Sequence, residues 1–318
     1  DKTYRIVAIA KQLADAIGAD EATTVRAAEL SKCDLVSEMV LEFPELQGIA
    51  GAEYARHDDE PIGVADAIEY HYYPRFAMDE LPPSPEATAV ALADRLDTLV
   101  GIFGIGEPPT GSKDPFALRR ASLAVIRMLI NLEKPLSLTE LLQTAVEQQT
   151  AELSPDTPDV VSRYITDRLG NWYDDDGIHI SVVRAALAAG ATDLFDIDLR
   201  VRALNAFVKT DTAEHLAAAN KRVANILAKA DNLDGTPADA NLFVHEAEHA
   251  LHEAINRVGS TLAPLLADRN YQGALDELAQ LRGPADAFFD GVMVNSEDPA
   301  ERSNRLRLLN GLRALFTQ

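Results

Sequence analysis

Between Ala87 and Phe103 the residues Leu92, Leu96, Leu99 and Phe103 fall three or four positions apart, the spacing that lays one apolar stripe along a helix. The same period recurs through most of the chain. No stretch of its first half alternates apolar with polar residues, as a half-buried strand would. A chain patterned in this way is expected to be all-α.

Taken in order, Ile6, Ile9, Ala10, Leu13 and Ile17 predict a first helix over 4–18, stopped at Gly18. Asp20 can cap a second helix that runs through Leu30 into Ser31–Asp34, until Glu42-Phe-Pro-Glu45 breaks it. Val64–Tyr73 reads as a helix closed by Pro74, and 79–85 as a proline-rich connector. Asp114 as N-cap and Pro115 at the first helical position start another helix, with Phe116, Leu123, Ile126 and Ile130 on its apolar stripe. Ser137 with Glu140 makes a capping box. A turn at 154–158, an amphipathic helix over Val160–Tyr173 and an acidic turn at 174–177 follow. Helices are then expected over Val182–Ala189, from Asp193 to about Val208, and over Thr212–Ala230. A loop at 232–237 precedes three more helices reaching Phe316.

A length of 318 residues suggests two or three domains, each able to bury its own core. The formal net charge of −22 argues against a general nucleic-acid binder but leaves room for local basic patches. One such patch is Lys113 with Arg119, Arg120 and Arg127, which load the early and middle turns of one helix. No apolar run approaches the ~18 residues of a membrane span. The single cysteine, Cys33, cannot form an internal disulfide and fits a reducing cytosol. The opening Asp-Lys-Thr-Tyr-Arg has no signal pattern and enters a helix at once, which suggests a fragment of a longer protein.

Two patterns could carry metal chemistry. His57-Asp58, with Cys33-Asp34 upstream and Asp94 and Asp97 downstream, resembles the skeleton of an HD-type phosphohydrolase. The histidine count is too small for a well-ordered divalent site, and Asp94 and Asp97 are better read as surface or salt-bridging residues. His245-Glu246-Ala-Glu-His249 matches the HExxH pattern, which on a helix would place both histidines on one face. No helix supplies a third ligand, so a polar helix face is expected instead. Gly101, Gly104 and Gly106 follow no strand and precede no Gly-Lys-Ser/Thr, so no nucleotide site is assigned.

The segment Asn220–Lys229 is more informative. Leu216, Val223, Ile226 and Leu227 form a buried stripe, while Lys221, Asn225 and Lys229 lie four apart on another face with Arg222 adjacent. Asn is a poor residue in mid-helix, so Asn225 is expected to hydrogen-bond, across helices or to a ligand.

"DTLVGIFGIG" followed by "KDPFALRRASLAVIRML" resembles the β subunit of bacterial heterotetrameric glycyl-tRNA synthetase, in its C-terminal part. "SKCDLVSEMVLEFPELQGIAG", "YARHDDEP", "YYPRFAMDELP", "AANKRVANILAKAD" and "DAFFDGVMV" follow in that family's order. The resemblance implies an HD-like helical domain with a degenerate metal site over 1–150, a helical linker or body region over 151–200, and a DALR-like anticodon-binding bundle over 201–318. It implies binding of glycine tRNA, with Lys221, Arg222, Asn225 and Lys229 at the anticodon and Lys113, Arg119 and Arg120 on phosphates. Glycine activation with ATP and magnesium would reside in a separate α subunit. This chain would then hold no catalytic residue and no cofactor, act in the cytoplasm and bind neither DNA nor membrane. The rival classes are an HD-type phosphohydrolase and a non-enzymatic helical scaffold that binds only protein.

Overall fold

The computed structural model describes residues 1–230 and 235–317. The first part of the loop expected at 232–237 lies outside the described residues. Among the described residues the chain is helical, with no strand beyond two isolated bridges, Thr110 with Lys113 and Ser137 with Asp193. The all-α expectation holds.

The chain forms two compact units: Asp1–Ile180 with Ala191–Asp198, and Ser181–Gly190 with Leu199–Gln318. The first contains α1 (Lys2–Ile17), α2 (Glu21–Leu30), α3 (Glu38–Glu42), α4 (Ile49–His57) and α5 (Ile62–Tyr70). It continues with α6 (Pro85–Gly104), α7 (Leu118–Asn131), α8 (Leu138–Glu147), α9 (Thr157–Thr166) and α10 (Leu169–Asp175). Next come α11 (Ile180–Ala188), α12 (Leu194–Phe207) and α13 (Asp211–Leu227). The chain ends with α14 (Glu246–Ala267), α15 (Tyr271–Ala279), α16 (Arg282–Gly291) and α17 (Pro299–Leu315). Of the stretch 151–200, α9 and α10 fall in the first unit and most of α11 in the second.

In the first unit α6 packs against α1, α2, α5, α7, α8 and α9. It is buried on every side: Ala89, Val90, Ala91 and Ala93 are as inaccessible as the expected stripe of Leu92, Leu96 and Leu99. A helix that is apolar all round belongs in the middle of a domain, and alanines let its neighbours come close. Ser84 accepts a hydrogen bond from Ala87 N with Pro85 at the first position, so the end of the proline-rich connector is a helix start. The second unit encloses its own core, in which Val223, Leu251, Val258, Leu281, Phe288 and Leu309 are fully buried.

Several boundaries differ from the sequence expectations. Helix α2 stops at Leu30, because the buried Ser31 hydroxyl donates to Ala28 O and the chain turns there. The helix expected from Pro115 begins at Leu118: Ala117 is left-handed, with φ 54°, which throws Phe116 outside the helix and leaves it 49% exposed. Asp114 still caps it, accepting from Leu118 N at 2.8 Å and Arg119 N at 3.0 Å. The segment Val160–Tyr173 divides into α9 and α10 around Arg168. After the loop there are four helices where three were expected.

Candidate nucleic-acid interface

In the second unit, α13 presents Lys221, Arg222 and Asn225, with Lys229 just past its end, and all four side chains are exposed. The helix forms because Thr210 accepts from Ala213 N, Asp211 and Glu214 favour the positive end of the dipole, and Leu216, Val223 and Leu227 face the core. The four polar residues line one groove of about 1200 Å³. Its opposite wall carries Phe289, Asn295 and Arg302, none of which the sequence reading named. The guanidinium of Arg222 lies 4.3 Å from the centre of the Phe289 ring, and Arg302 Nη1 donates to Ser296 O at 3.2 Å. Asn225 makes no side-chain hydrogen bond among the described residues, so its amide faces the groove with both capacities open. Aromatic "DAFFDG" next to a basic helix was a signal for Phe289; Arg302 left none.

Cations spaced along a groove, an aromatic face held under a guanidinium and an open amide are together what a single-stranded nucleic acid needs. The cations take phosphates, the ring stacks bases and the amide reads an edge.

In the first unit a hairpin-like turn ties Lys113 N to Thr110 O at 2.8 Å, and Arg119 Nη2 donates to Gly111 O. The folded loop and the Asp114 cap hold Lys113, Arg119 and Arg120 at one end of α7, with Arg120 exposed. Arg168 was missed from sequence. It stacks 3.4 Å over the Tyr164 ring, and burial first, then the Arg119 charge among other neighbours, lower its pKa. Arg127 is spent within the protein, donating to Asp79 O at 2.8 Å.

The metal patterns do not assemble. His57 and Asp58 are exposed at the end of α4, whereas Asp34 is buried and accepts Gly48 N at 2.7 Å. Asp94 and Asp97 are not on the surface. Lys2 bridges them at 2.9 Å to each, Arg5 holds Asp97, and Lys32 holds Asp94 at 2.8 Å. Lys32 also touches the buried His71, so an ammonium occupies the space between His71 and Asp94 and the residues present do not fit a divalent ion. His245 precedes α14 as its N-cap and does not share a helical face with His249. Glu248 turns inward to accept Val244 N and His245 N and to pair with the buried Arg305 at 2.8 Å. His249 and His252 instead pack edge-on against Phe243. Among the described residues no three His, Cys, Asp or Glu side chains form a cation cage.

Two family models match the chain. A family model described as DALR anticodon binding domain matches residues 216–318, and one described as glycyl-tRNA synthetase beta subunit matches 1–188. The chain is 50% identical over 320 residues to a glycine–tRNA ligase beta subunit of Haemophilus influenzae and 50% over 319 residues to that of Chromohalobacter salexigens. It is 49% identical over 319 residues to that of Pasteurella multocida. Each alignment covers 100% of this chain and 46% of the relative, so the chain spans about half the length of the curated relatives it matches. With the beta-subunit model alone covering more than half of its residues, the chain belongs to the glycyl-tRNA synthetase beta-subunit family.

Proposed function

We propose that this chain is the tRNA-recognising part of a glycyl-tRNA synthetase: its C-terminal bundle reads the anticodon of glycine tRNA while a separate α subunit performs the ATP- and magnesium-dependent glycylation. The observation that carries the reading is the α13 groove, which gathers Lys221, Arg222, Asn225 and Lys229 on one wall within the stretch matched by the anticodon-binding model.

Glycine codons leave the middle and last anticodon bases as cytosines. A splayed cytosine offers one amino donor and two acceptors on its pairing edge. An amide answers both, which suits Asn225; a guanidinium donates to the acceptors, which suits Arg222 and Arg302. The Arg222 guanidinium, held over the Phe289 ring, gives a base a plane to stack on. Lys113, Arg119, Arg120 and the added Arg168 would take phosphates elsewhere on the same RNA. In a chain of net charge −22, such contacts must be focused to overcome the repulsion of the whole. Work in the cytoplasm fits this partner and the lone cysteine.

Titrating the chain with glycine tRNA at fixed modest salt, beside the same tRNA with both anticodon cytosines replaced, tests the reading. Weaker binding of the altered tRNA is expected. Equal binding of both would remove the anticodon from the α13 groove and leave the Arg119–Arg120 end of α7 as the contact.

A further inference from the structure

Inside the first unit, 39 and 62 positions apart in sequence, His71 and Asp94 converge on the ammonium of Lys32. Lys32 Nζ lies 2.8 Å from His71 Nε2, 2.8 Å from Asp94 Oδ2 and 4.0 Å from the centre of the Tyr72 ring. His71 Nδ1 lies 2.6 Å from Ile68 O. A carbonyl oxygen only accepts, so Nδ1 carries the imidazole proton and Nε2 turns its lone pair to the ammonium.

An imidazole lone pair, a carboxylate oxygen and an aromatic face are three different ligands for a positive charge. Two of the three are oriented from behind, as ligating groups are: His71 by Ile68 O, and Asp94 by Lys2 on its other oxygen at 2.9 Å. Arg95 fixes the strand of backbone that carries the ring pair, donating to His71 O at 2.9 Å and Tyr72 O at 2.9 Å. An ordinary buried ion pair needs only the carboxylate. The neutral imidazole and the ring go beyond the counter-charge and complete a shell around the cation.

We propose that the Lys32 ammonium is the resident cation of this centre, filling the position that His71, Asp94 and Tyr72 build, and that the pocket left by its removal takes a small primary ammonium ion from solution. Lys32→Ala removes three methylenes and the charge; ethylammonium replaces them with room for the severed bond. Tetramethylammonium carries the same charge but has no N–H to give His71 or Asp94.

The test is thermal unfolding of the whole chain in equal concentrations of sodium, ethylammonium or tetramethylammonium chloride. Lys32→Ala should melt below the wild type. Ethylammonium should raise its midpoint saturably, by about 2 °C or more over tetramethylammonium. The wild type and the Lys32→Ala/His71→Ala variant should not respond. Equal effects of the two ammonium salts, or rescue that survives without His71, would overturn the proposal. Should Lys32→Ala not fold, the wild type decides it in two ways. Lys32 should remain unmodified when the exposed Lys113 is fully acetylated, and equal labelling would overturn the assignment. Cobalt(II) should leave the wild-type midpoint unchanged, and a rise lost in His71→Ala would mean that a divalent ion displaces the ammonium.

Discussion

The guanidinium of Arg222 lies over the ring of Phe289, 4.3 Å from its centre, which joins α13 to the end of α16 in the candidate anticodon groove. The stack fixes a side chain that would otherwise sample many rotamers, so its donors are presented in one plane. Arg222→Ala is expected to weaken glycine tRNA binding by roughly tenfold or more, the scale of one base-reading arginine. Arg222→Lys keeps the charge and loses the plane, and should recover little of that. Lys221→Ala should instead flatten the salt dependence by about one unit of slope, as a phosphate contact does. Binding isotherms across a salt series separate the two.

In the second unit the pair of Arg305 and Glu248 is buried, with 3% and 1% of the two side chains accessible. Arg305→Met strands the carboxylate and should cost about 3–5 kcal/mol. Burial alone would raise the Glu248 pKa, but Arg305 and the amides of His245 and Val244 outweigh it, and the net shift is downward. A carboxyl lowered in the folded state stabilises fully above its unfolded value of about 4.3 and loses that contribution as pH falls through the folded value. The difference between wild type and Arg305→Met in denaturant unfolding should therefore be largest near neutrality and shrink in acid. A difference independent of pH would exclude the pair as its source.

His71 offers a second pH signature, in the first unit. Burial first, and the Lys32 charge next, push its pKa down to about 3. The unfolded imidazole titrates near 6.5, so between these values the unfolded chain binds the extra proton and stability rises with pH. Stability should fall as pH is lowered from about 6.5, by up to about 1.4 kcal/mol per pH unit. Measured between pH 6.5 and 5, where most carboxylates remain ionised, His71→Gln should remove that slope. An unchanged slope would place the effect elsewhere.

Asp114 holds two amides at the start of α7 and, through them, the loop that carries Lys113 and leads to Arg119. Asp114→Ala should cost about 1 kcal/mol of stability. It should also weaken tRNA binding by the same factor whether or not the anticodon cytosines are present, because the patch it organises faces phosphates. A larger loss for the native anticodon would contradict that division of labour.

Local signals were legible wherever the partner sits within a helical turn. Asp20 accepts Thr23 N at 2.7 Å and Gly18 takes the left-handed conformation with φ 74°, each as the residue type and spacing led one to expect, and of the capping box expected at Ser137 the bond from Glu140 N forms, at 3.3 Å. Spacing also put Lys221 and Asn225 on one exposed face of α13, with the exposed Lys229 just past its end. The same reasoning misplaced Phe116, because the unusual backbone of Ala117 is set by the fold of the loop and has no residue-type signature. It singled out His57-Asp58 and passed over His71, because a His-Asp doublet is visible in a string and the burial of a lone histidine is not.

Period and capping chemistry thus determined that this chain is helical, roughly where its helices lie and which faces are apolar, since those depend on neighbours one turn away. Which polar groups meet was decided only in three dimensions. Lys32 reaches His71 and Asp94 from the turn after α2, Glu248 finds Arg305 from 57 positions away, and Phe289 lies under Arg222 because α13 and α16 pack side by side. A buried charge must find its counter-charge or remain desolvated and unpaired. The tertiary packing selects which partner is within reach, and no local pattern encodes that choice.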